Sequence, residues 1–322
     1  MRQIIIDDDL KKRAKNYAEN LFTFRKKRDN IFKKLEEIKN VAGIKCTEYE
    51  RYIDEIEKNY KDINGKPVSA VIQLFKKFSS VILEKEFETK TKTKTKTKFS
   101  ELIIDAMNYE SLRIGAAKNG RDLLIDNFRI LKIKTCVYCN SQYAVSLDDN
   151  ETVGFDFDHV YPKSKYPYLS TNFFNLVPCC PVCNRTKSNV DYKVDFYVDK
   201  DPKTLFSYRL DINSIVEYQL SRKNDELVVE VCDKSEKGMA NGLHLEAFCN
   251  QHKDVAEDVL IKAYKYTDSS LKGLEATLGV NFYRLWYGVY ENESDVYRRP
   301  LSAMTNDIVK QIDELVNKGH LI

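Results

Sequence analysis

The 322-residue sequence has no run of about eighteen apolar residues and no apolar stretch of signal-peptide length behind its first residues, MRQIIIDDDLKKRAK. On these absences neither a helical membrane span nor a secretory leader is expected, and the expected location is the cytoplasm. Histidine is scarce: there are four in all, and only His159 lies in the central part of the chain. His244, His252 and His320 show no ligand-like spacing and read as structural or exposed. Net charge is small as well, +3 at neutral pH, which by itself says little about acidic or basic partners. No internal repeat occurs apart from one run of Thr-Lys units at 89–98.

The charges that are present are unevenly spread. Residues 1–130 carry 29 Lys and Arg against 21 Asp and Glu, residues 131–200 carry 8 against 8, and residues 201–322 carry 15 against 20. The basic first part suits either phosphate binding or a solvated helical surface. Cysteine is uneven too: of eight, five (Cys136, Cys139, Cys179, Cys180, Cys183) fall inside 48 residues. In a reducing compartment such clustering favours a metal site over a disulfide framework. Cys46, Cys232 and Cys249 read as small apolar fillers.

Apolar positions recur every three or four residues from Asp9 to Asn40, predicting one long amphipathic helix, and again over Tyr49–Tyr60 and Val68–Phe87. The Thr-Lys run, Thr89–Lys98, predicts a loop that buries nothing. Helical spacing returns at Phe99–Met107 and Asp122–Leu131. Beyond the cysteine-rich centre, Leu205–Leu210, Ile215–Leu220 and Leu227–Val231 predict three short strands, and the chain from Leu243 onward predicts helices, with a turn at Arg298-Arg299-Pro300 before the last. The expected class is α+β, in three parts: a helical region 1–130, a cysteine-rich core 131–200, and a β-containing segment with closing helices 201–322.

Two CxxC pairs, Cys136–Cys139 and Cys180–Cys183, stand 40 residues apart. Each such turn aims two thiolates at one ion, and two turns complete the four-sulfur shell of a closed structural zinc site. Cys179 adjoins Cys180, but the CxxC spacing selects Cys180. Something must fold between the two knuckles, and the sequence there is FDFDHVYPKSKYPYLSTNFFNLVPCC, running on into PVCNRTKSN. Over about 55 residues this resembles the HNH endonuclease family, through Asp158-His159, Pro162, Asn175-Leu176, Cys180 to Asn184, and Lys187. The resemblance implies a ββα-metal unit: a hairpin with Asp158-His159 on one strand, packed against a short helix beginning near the second CxxC. It also implies Asn175 fixing the catalytic histidine across the hairpin, and products with a 3′-hydroxyl and a 5′-phosphate.

The chemistry of the residues agrees with that pattern. Phosphodiester hydrolysis needs a base to activate water and a cation to neutralise developing charge. His159, with an ordinary pKa near 6.5, suits a base at neutral pH, while Asp158 and Asn184 offer oxygen ligands for Mg²⁺ or Mn²⁺. Lys187 and Arg185 are expected to meet phosphates near the scissile one. Asp156, two residues before Asp158, shares its strand face. Segments such as Gln251–Glu257 and Tyr297–Ser302 extend the resemblance toward bacterial HNH proteins of Septu-type and retron-associated antiphage modules, which act beside an ATPase. The expected substrate is nucleic acid, DNA before RNA, with an ATPase or a second copy as protein partner. A stand-alone restriction or toxin nuclease, and a zinc-stapled binding module without catalysis, are the alternatives. The helical first part has no counterpart in the family pattern, and its long stripes predict surfaces that a partner covers.

Overall fold

The computed structural model describes residues 1–24, 26, 31–89, 96–113, 118–147, 152–265, 273–274, 276–277, 282–290 and 292–319, and its class is α+β. Strand β1 (Ile4–Ile5) leads into helix α1 (Asp8–Phe24). The Asp7 carboxylate accepts the Leu10 N–H at 2.7 Å and caps that helix. Leu10, Ala14, Tyr17, Ala18 and Leu21 form its buried stripe. Helix α2 (Ile31–Lys39) follows. The periodicity predicts one helix from Asp9 to Asn40, but the rings of Phe22 and Phe32 lie 5.6 Å apart. Ten residues of straight helix would separate them by about 15 Å. Both rings close on Tyr60, so burial of this aromatic cluster turns the chain; residues 25 and 27–30 lie outside the described residues.

Helix α3 (Glu48–Lys58) starts at Thr47, whose hydroxyl accepts the Tyr49 N–H at 3.2 Å, and buries Tyr49, Tyr52, Ile53 and Ile56. Helix α4 (Tyr60–Gly65) lies against α1. A β-carbon at Gly65 would come within 3.1 Å of the Ala18 side chain and 3.3 Å of the Ala14 carbonyl, so glycine lets these helices approach. Helix α5 (Val68–Phe75) ends in a 3₁₀ turn at Lys76–Phe78, well short of the predicted Phe87. The Phe75 ring stacks on Tyr168 at 3.9 Å and Phe78 meets Tyr52 at 5.4 Å, while Ile82 is left exposed. Those aromatic anchors stop the helix where continued helical spacing would have carried it on.

Strands β2 (Glu86–Glu88) and β3 (Lys96–Lys98) pair antiparallel, placing Glu86 opposite Lys98 and Glu88 opposite Lys96. The end of the Thr-Lys run is therefore a strand and not a loop, and Thr97 is buried; opposite charges across the ladder favour that pairing. Residues 90–95 lie outside the described residues. Helix α6 (Phe99–Met107) runs straight on from β3 and stops at Asn108, in the left-handed conformation, before α7 (Tyr109–Arg113) and α8 (Lys118–Ile130). The stripes of this first part are covered by the chain's own elements, α1 against α4 and α8, α2 against α3 and α6. They do not require a partner to bury them.

Strands β4 (Asp156–His159) and β5 (Leu176–Cys179) make the central antiparallel hairpin, with Asp158 opposite Val177 and His159 opposite Leu176. Helix α9 (Pro181–Lys187) begins at the second CxxC, with Cys180 as its cap and Pro181 in the first turn, where proline needs no N–H partner. Strand β6 (Tyr197–Val198) pairs in parallel with β1. Strand β7 (Phe206–Leu210) pairs antiparallel with β8 (Val229–Asp233).

Between β7 and β8, the predicted strand at Ile215–Leu220 is instead helix α10 (Ile212–Ser221). Asp211 caps it by accepting the Ser214 N–H at 2.8 Å. Ile215 and Tyr218 are buried, a helical interval, whereas Val216 and Leu220 face outward. Short helices α11 (Met239–Gly242) and α12 (Leu245–Asn250), then α13 (Lys253–Lys265), and two closing helices at Phe282–Tyr287 and Ser302–Asn317 bear out the helical tail. Among the described residues no helix is long and apolar enough to cross a membrane.

The first residues are stitched to the last part of the chain. The buried Arg2 guanidinium holds both Asp307 oxygens at 2.7 and 2.8 Å, the Glu293 carboxylate at 2.6 Å and the Phe206 carbonyl at 2.7 Å. Asn140, just past the first CxxC, donates to the Val296 carbonyl at 2.9 Å and accepts the Ala303 N–H at 2.9 Å. The cysteine-rich centre thus sits between the helical first part and the closing helix.

Candidate active site and metal centre

The sulfur atoms of Cys136, Cys139, Cys180 and Cys183 all lie within 4.8 Å of one another and all four residues are buried. The Cys139 and Cys180 sulfurs are 3.9 Å apart, close to the ~3.8 Å edge of a tetrahedron with zinc–sulfur bonds of about 2.3 Å. None is in a disulfide. Backbone N–H groups point at the sulfurs: Ser141 donates to Cys139 at 3.5 Å and Cys183 to Cys180 at 3.4 Å. The four sulfurs act on one another: neighbouring thiols, Cys136 foremost, hold the Cys139 and Cys180 thiols down, while Cys136, through burial, and Cys183 are pushed up. Four sulfurs in one buried cluster fit a metal ion, and the donor set suits zinc. Cys179, as expected, stays out of the cluster; burial pushes its thiol up. Of the three cysteines read as fillers, only Cys249 is buried; Cys46 is exposed and Cys232 is half-buried.

The first knuckle packs directly on the hairpin, where the Val137 N–H donates to the Pro178 carbonyl at 3.3 Å. This sets Tyr138, between the two cysteines of the first pair, with its hydroxyl 2.5 Å from Asp158 Oδ2. Burial and the Asp158 charge raise Tyr138 far above its ordinary range, so it remains a donor. Lys187 Nζ lies 3.1 Å from the same Asp158 oxygen and donates to the His159 carbonyl at 2.6 Å. Its side chain is 1% exposed. The sequence expectation that Lys187 meets substrate phosphate is corrected: the ammonium is enclosed as the counter-charge of a buried carboxylate. Arg185, two residues earlier, is exposed. Burial pushes the Asp158 carboxyl up, and Lys187 and Tyr138 oppose that shift.

His159 ends β4 and is buried, with Nε2 2.8 Å from the Ser170 carbonyl oxygen. A carbonyl only accepts, so Nε2 carries the proton and Nδ1 keeps its lone pair. Burial pushes the imidazole down to about 3, where the sequence expectation was a value near 6.5. The ring is therefore neutral around pH 7. The Tyr109 ring packs on it edge to face, 4.4 Å between centroids, and the Tyr109 hydroxyl donates to the Phe157 carbonyl at 2.8 Å.

Asn175 does not bond the His159 ring. Its amide accepts the Tyr161 N–H at 2.8 Å and donates to the carbonyls of Tyr161 and Leu169 at 3.0 and 3.1 Å. It therefore closes the loop between the strands and fixes His159 through the backbone that carries Ser170. Helices of the first part grip the same loop: the Tyr17 hydroxyl donates to the Thr171 carbonyl at 2.7 Å, Thr171 donates to the Asn64 side chain at 2.7 Å, and the Phe173 N–H donates to the Asn64 carbonyl at 3.0 Å.

Asn184, on α9, donates to Asp156 at 2.9 Å. His159, Asp158, Asp156 and Asn184 line one cleft of about 610 Å³ with Pro162, Lys163 and Arg113. The structure thus gathers His159, Asp158 and Asn184 at one opening, and places Asn175 and Lys187 behind it as supports. Sequence reasoning missed Tyr138, Tyr109 and Ser170. Tyr138 carried a signal, a tyrosine inside a knuckle; Ser170 acts through its carbonyl and carried none.

Residues 136–190 match the family model for HNH endonuclease. A stretch of 58 residues is 38% identical to Septu protein PtuB of Bacillus thuringiensis, covering 18% of this chain and 21% of that protein. The chain therefore spans about a fifth of the length of that curated relative. No solved structure matches.

Proposed function

Residues 136–190 are an HNH endonuclease domain, and from that premise we propose that the chain is a metal-dependent endonuclease that hydrolyses phosphodiester bonds of DNA. The observation that carries this reading is the His159 imidazole, neutral and pinned at Nε2 by the Ser170 carbonyl, on the cleft that Asp158 and Asn184 also line. Nδ1 of His159 takes a proton from a water molecule as its oxygen attacks phosphorus; the phosphorus–O3′ bond breaks and the departing O3′ takes up a proton from solvent water, giving a 5′-phosphate and a 3′-hydroxyl.

Asp158 and Asn184 would hold a divalent cation such as Mg²⁺ or Mn²⁺. Their donors fit it: Asp158 offers a carboxylate that takes Tyr138 and Lys187 on Oδ2, and Asn184 donates to Asp156 through Nδ2 and so presents Oδ1 as an oxygen donor for a hard cation. When bound, that cation supplies positive charge beside the reacting phosphate. The four clustered cysteines would hold a structural zinc, and through them the first knuckle stays against the hairpin. In this reading residues 131–200 are the nuclease core, while 1–130 and 201–322 brace it.

The likeness to Septu protein PtuB, together with the motifs at Gln251–Glu257 and Tyr297–Ser302, supports a role in bacterial antiphage defence beside an ATPase partner, in the cytoplasm. Plasmid DNA incubated with the protein and Mg²⁺ or Mn²⁺, with and without that partner, tests the reading. His159→Ala should abolish cutting and keep the zinc. Cutting at the parent rate by His159→Ala would refute His159 as the base.

A further inference from the structure

With Lys187 enclosed, the cleft needs another cation to hold the substrate's phosphate, and a single lysine has the placement for it. Lys163 follows Pro162 directly, and the Lys165 and Tyr166 N–H groups fold back on the Pro162 carbonyl at 3.0 and 2.9 Å, which fixes the turn that presents it. Its side chain is half-buried on the cleft of His159, Asp158 and Asn184. Its Nζ lies 4.9 Å from the centre of the Tyr109 ring, and that ring lies 4.4 Å from the imidazole. The ammonium is therefore no farther from the imidazole than these two spans laid end to end, within reach of the scissile phosphate or its neighbour.

Lys163 also makes no ion pair among the described residues. Glu110, the carboxylate that acts most strongly on its charge, is bidentate to Arg113. Burial lowers Lys163, as expected for an ammonium removed from water without a carboxylate at contact distance. An ammonium kept half-buried against one aromatic face is costly unless a ligand anion completes it. The other wall of its surroundings is acidic: the adjoining groove of about 1440 Å³ carries Glu37, Glu88, Asp105 and Glu110 against Lys34 and Lys163. A phosphate backbone is repelled along that groove and retained on the His159 side of Lys163.

We infer that Lys163, rather than the motif lysine Lys187, is the side chain that binds the phosphate at or next to the scissile bond. This rests on the nuclease reading for the word scissile, but phosphate binding by Lys163 can be measured without cleavage. The probe is a fluorescein-labelled DNA duplex, titrated with zinc-loaded protein across a salt series in Ca²⁺, for the parent, Lys163→Ala, Lys163→Arg and the exposed control Lys318→Ala. Lys163→Ala should bind roughly tenfold more weakly at low salt, and its salt slope should fall by about one. Lys163→Arg should keep the slope, and Lys318→Ala should match the parent.

In Mg²⁺, Lys163→Ala should lose roughly 10- to 100-fold in kcat/KM with zinc content and melting temperature unchanged. An unchanged salt slope and affinity for Lys163→Ala overturns the inference, whether or not the parent cuts. A parent that binds with the expected Lys163 dependence but never cuts overturns the nuclease reading alone.

Discussion

Replacing Lys187 by alanine separates two roles that lead to opposite measurements. In the structure its ammonium is enclosed, 3.1 Å from Asp158 Oδ2 and bonded to the His159 carbonyl at 2.6 Å, and Asp158 is itself 6% exposed. Removing one partner of a buried pair strands the other as an uncompensated charge, at a cost of about 3–5 kcal/mol. The Tyr138 hydroxyl remains on Asp158 and keeps the loss toward the lower end. For a chain of this length, unfolding entropy of about 2.1 cal/mol/K per residue converts that loss to a fall of roughly 4–7 °C in melting temperature.

Differential scanning calorimetry on zinc-loaded protein reads the loss directly. Lys187→Met, which keeps the stem in place, should still lose stability, because packing is preserved and the charge is not. A lysine that merely met substrate on the surface would change stability by less than about 0.5 kcal/mol and would raise KM. Lys187→Ala melting within a degree of the parent, with only KM affected, would refute the enclosed-pair reasoning.

Elemental analysis of protein purified without chelator should find about one zinc per chain, and Cys136→Ser or Cys183→Ser should unfold the core, since structural zinc contributes folding free energy; a folded, zinc-free variant would contradict this. Asp158→Ala and Asn184→Ala should lose cleavage and regain part of it as Mn²⁺ is raised, whereas His159→Ala should not recover at any Mn²⁺ concentration. Tyr17→Phe leaves the buried Thr171 carbonyl short of its donor. It should cost about 1–3 kcal/mol and lower kcat more than it raises KM, because it loosens the loop that presents Ser170; an unchanged kcat would disconnect the helices from the site.

The central hairpin and the cysteine cluster were legible because their residues recur at fixed spacing: two CxxC turns meet at one point, and Asp158-His159 lies on a strand paired with the one that follows Asn175. Supports were less legible. Lys187 looked like a phosphate ligand because charge in a motif is read as outward, and nothing in its neighbours announces that α9 turns it under β4. Element types were read well wherever one period dominated, as in α6 and α8. At Ile215–Leu220 a short β-branched run suited either period, and the Asp211 cap decided for helix. The stop after Phe78 was invisible for a different reason: an aromatic residue far away in sequence, Tyr168, stacks on Phe75 and sets where that helix stops.

The pairing of β1 with β6 and the grip of Arg2 on Asp307 bear on how the molecule is made. During synthesis Arg2 emerges early, yet its carboxylate partners at Glu293 and Asp307 come some three hundred residues later. Closing a loop of that length costs about 5 kcal/mol of chain entropy beyond the constant term, and local helices must form first. The stitch is thus a late event in folding, and Asn140, which bonds Val296 and the Ala303 N–H beside the first knuckle, is completed by the same late segment. A nascent chain shorter than these residues lacks the contacts that brace the first cysteine knuckle, so the order of synthesis itself delays assembly of the proposed site.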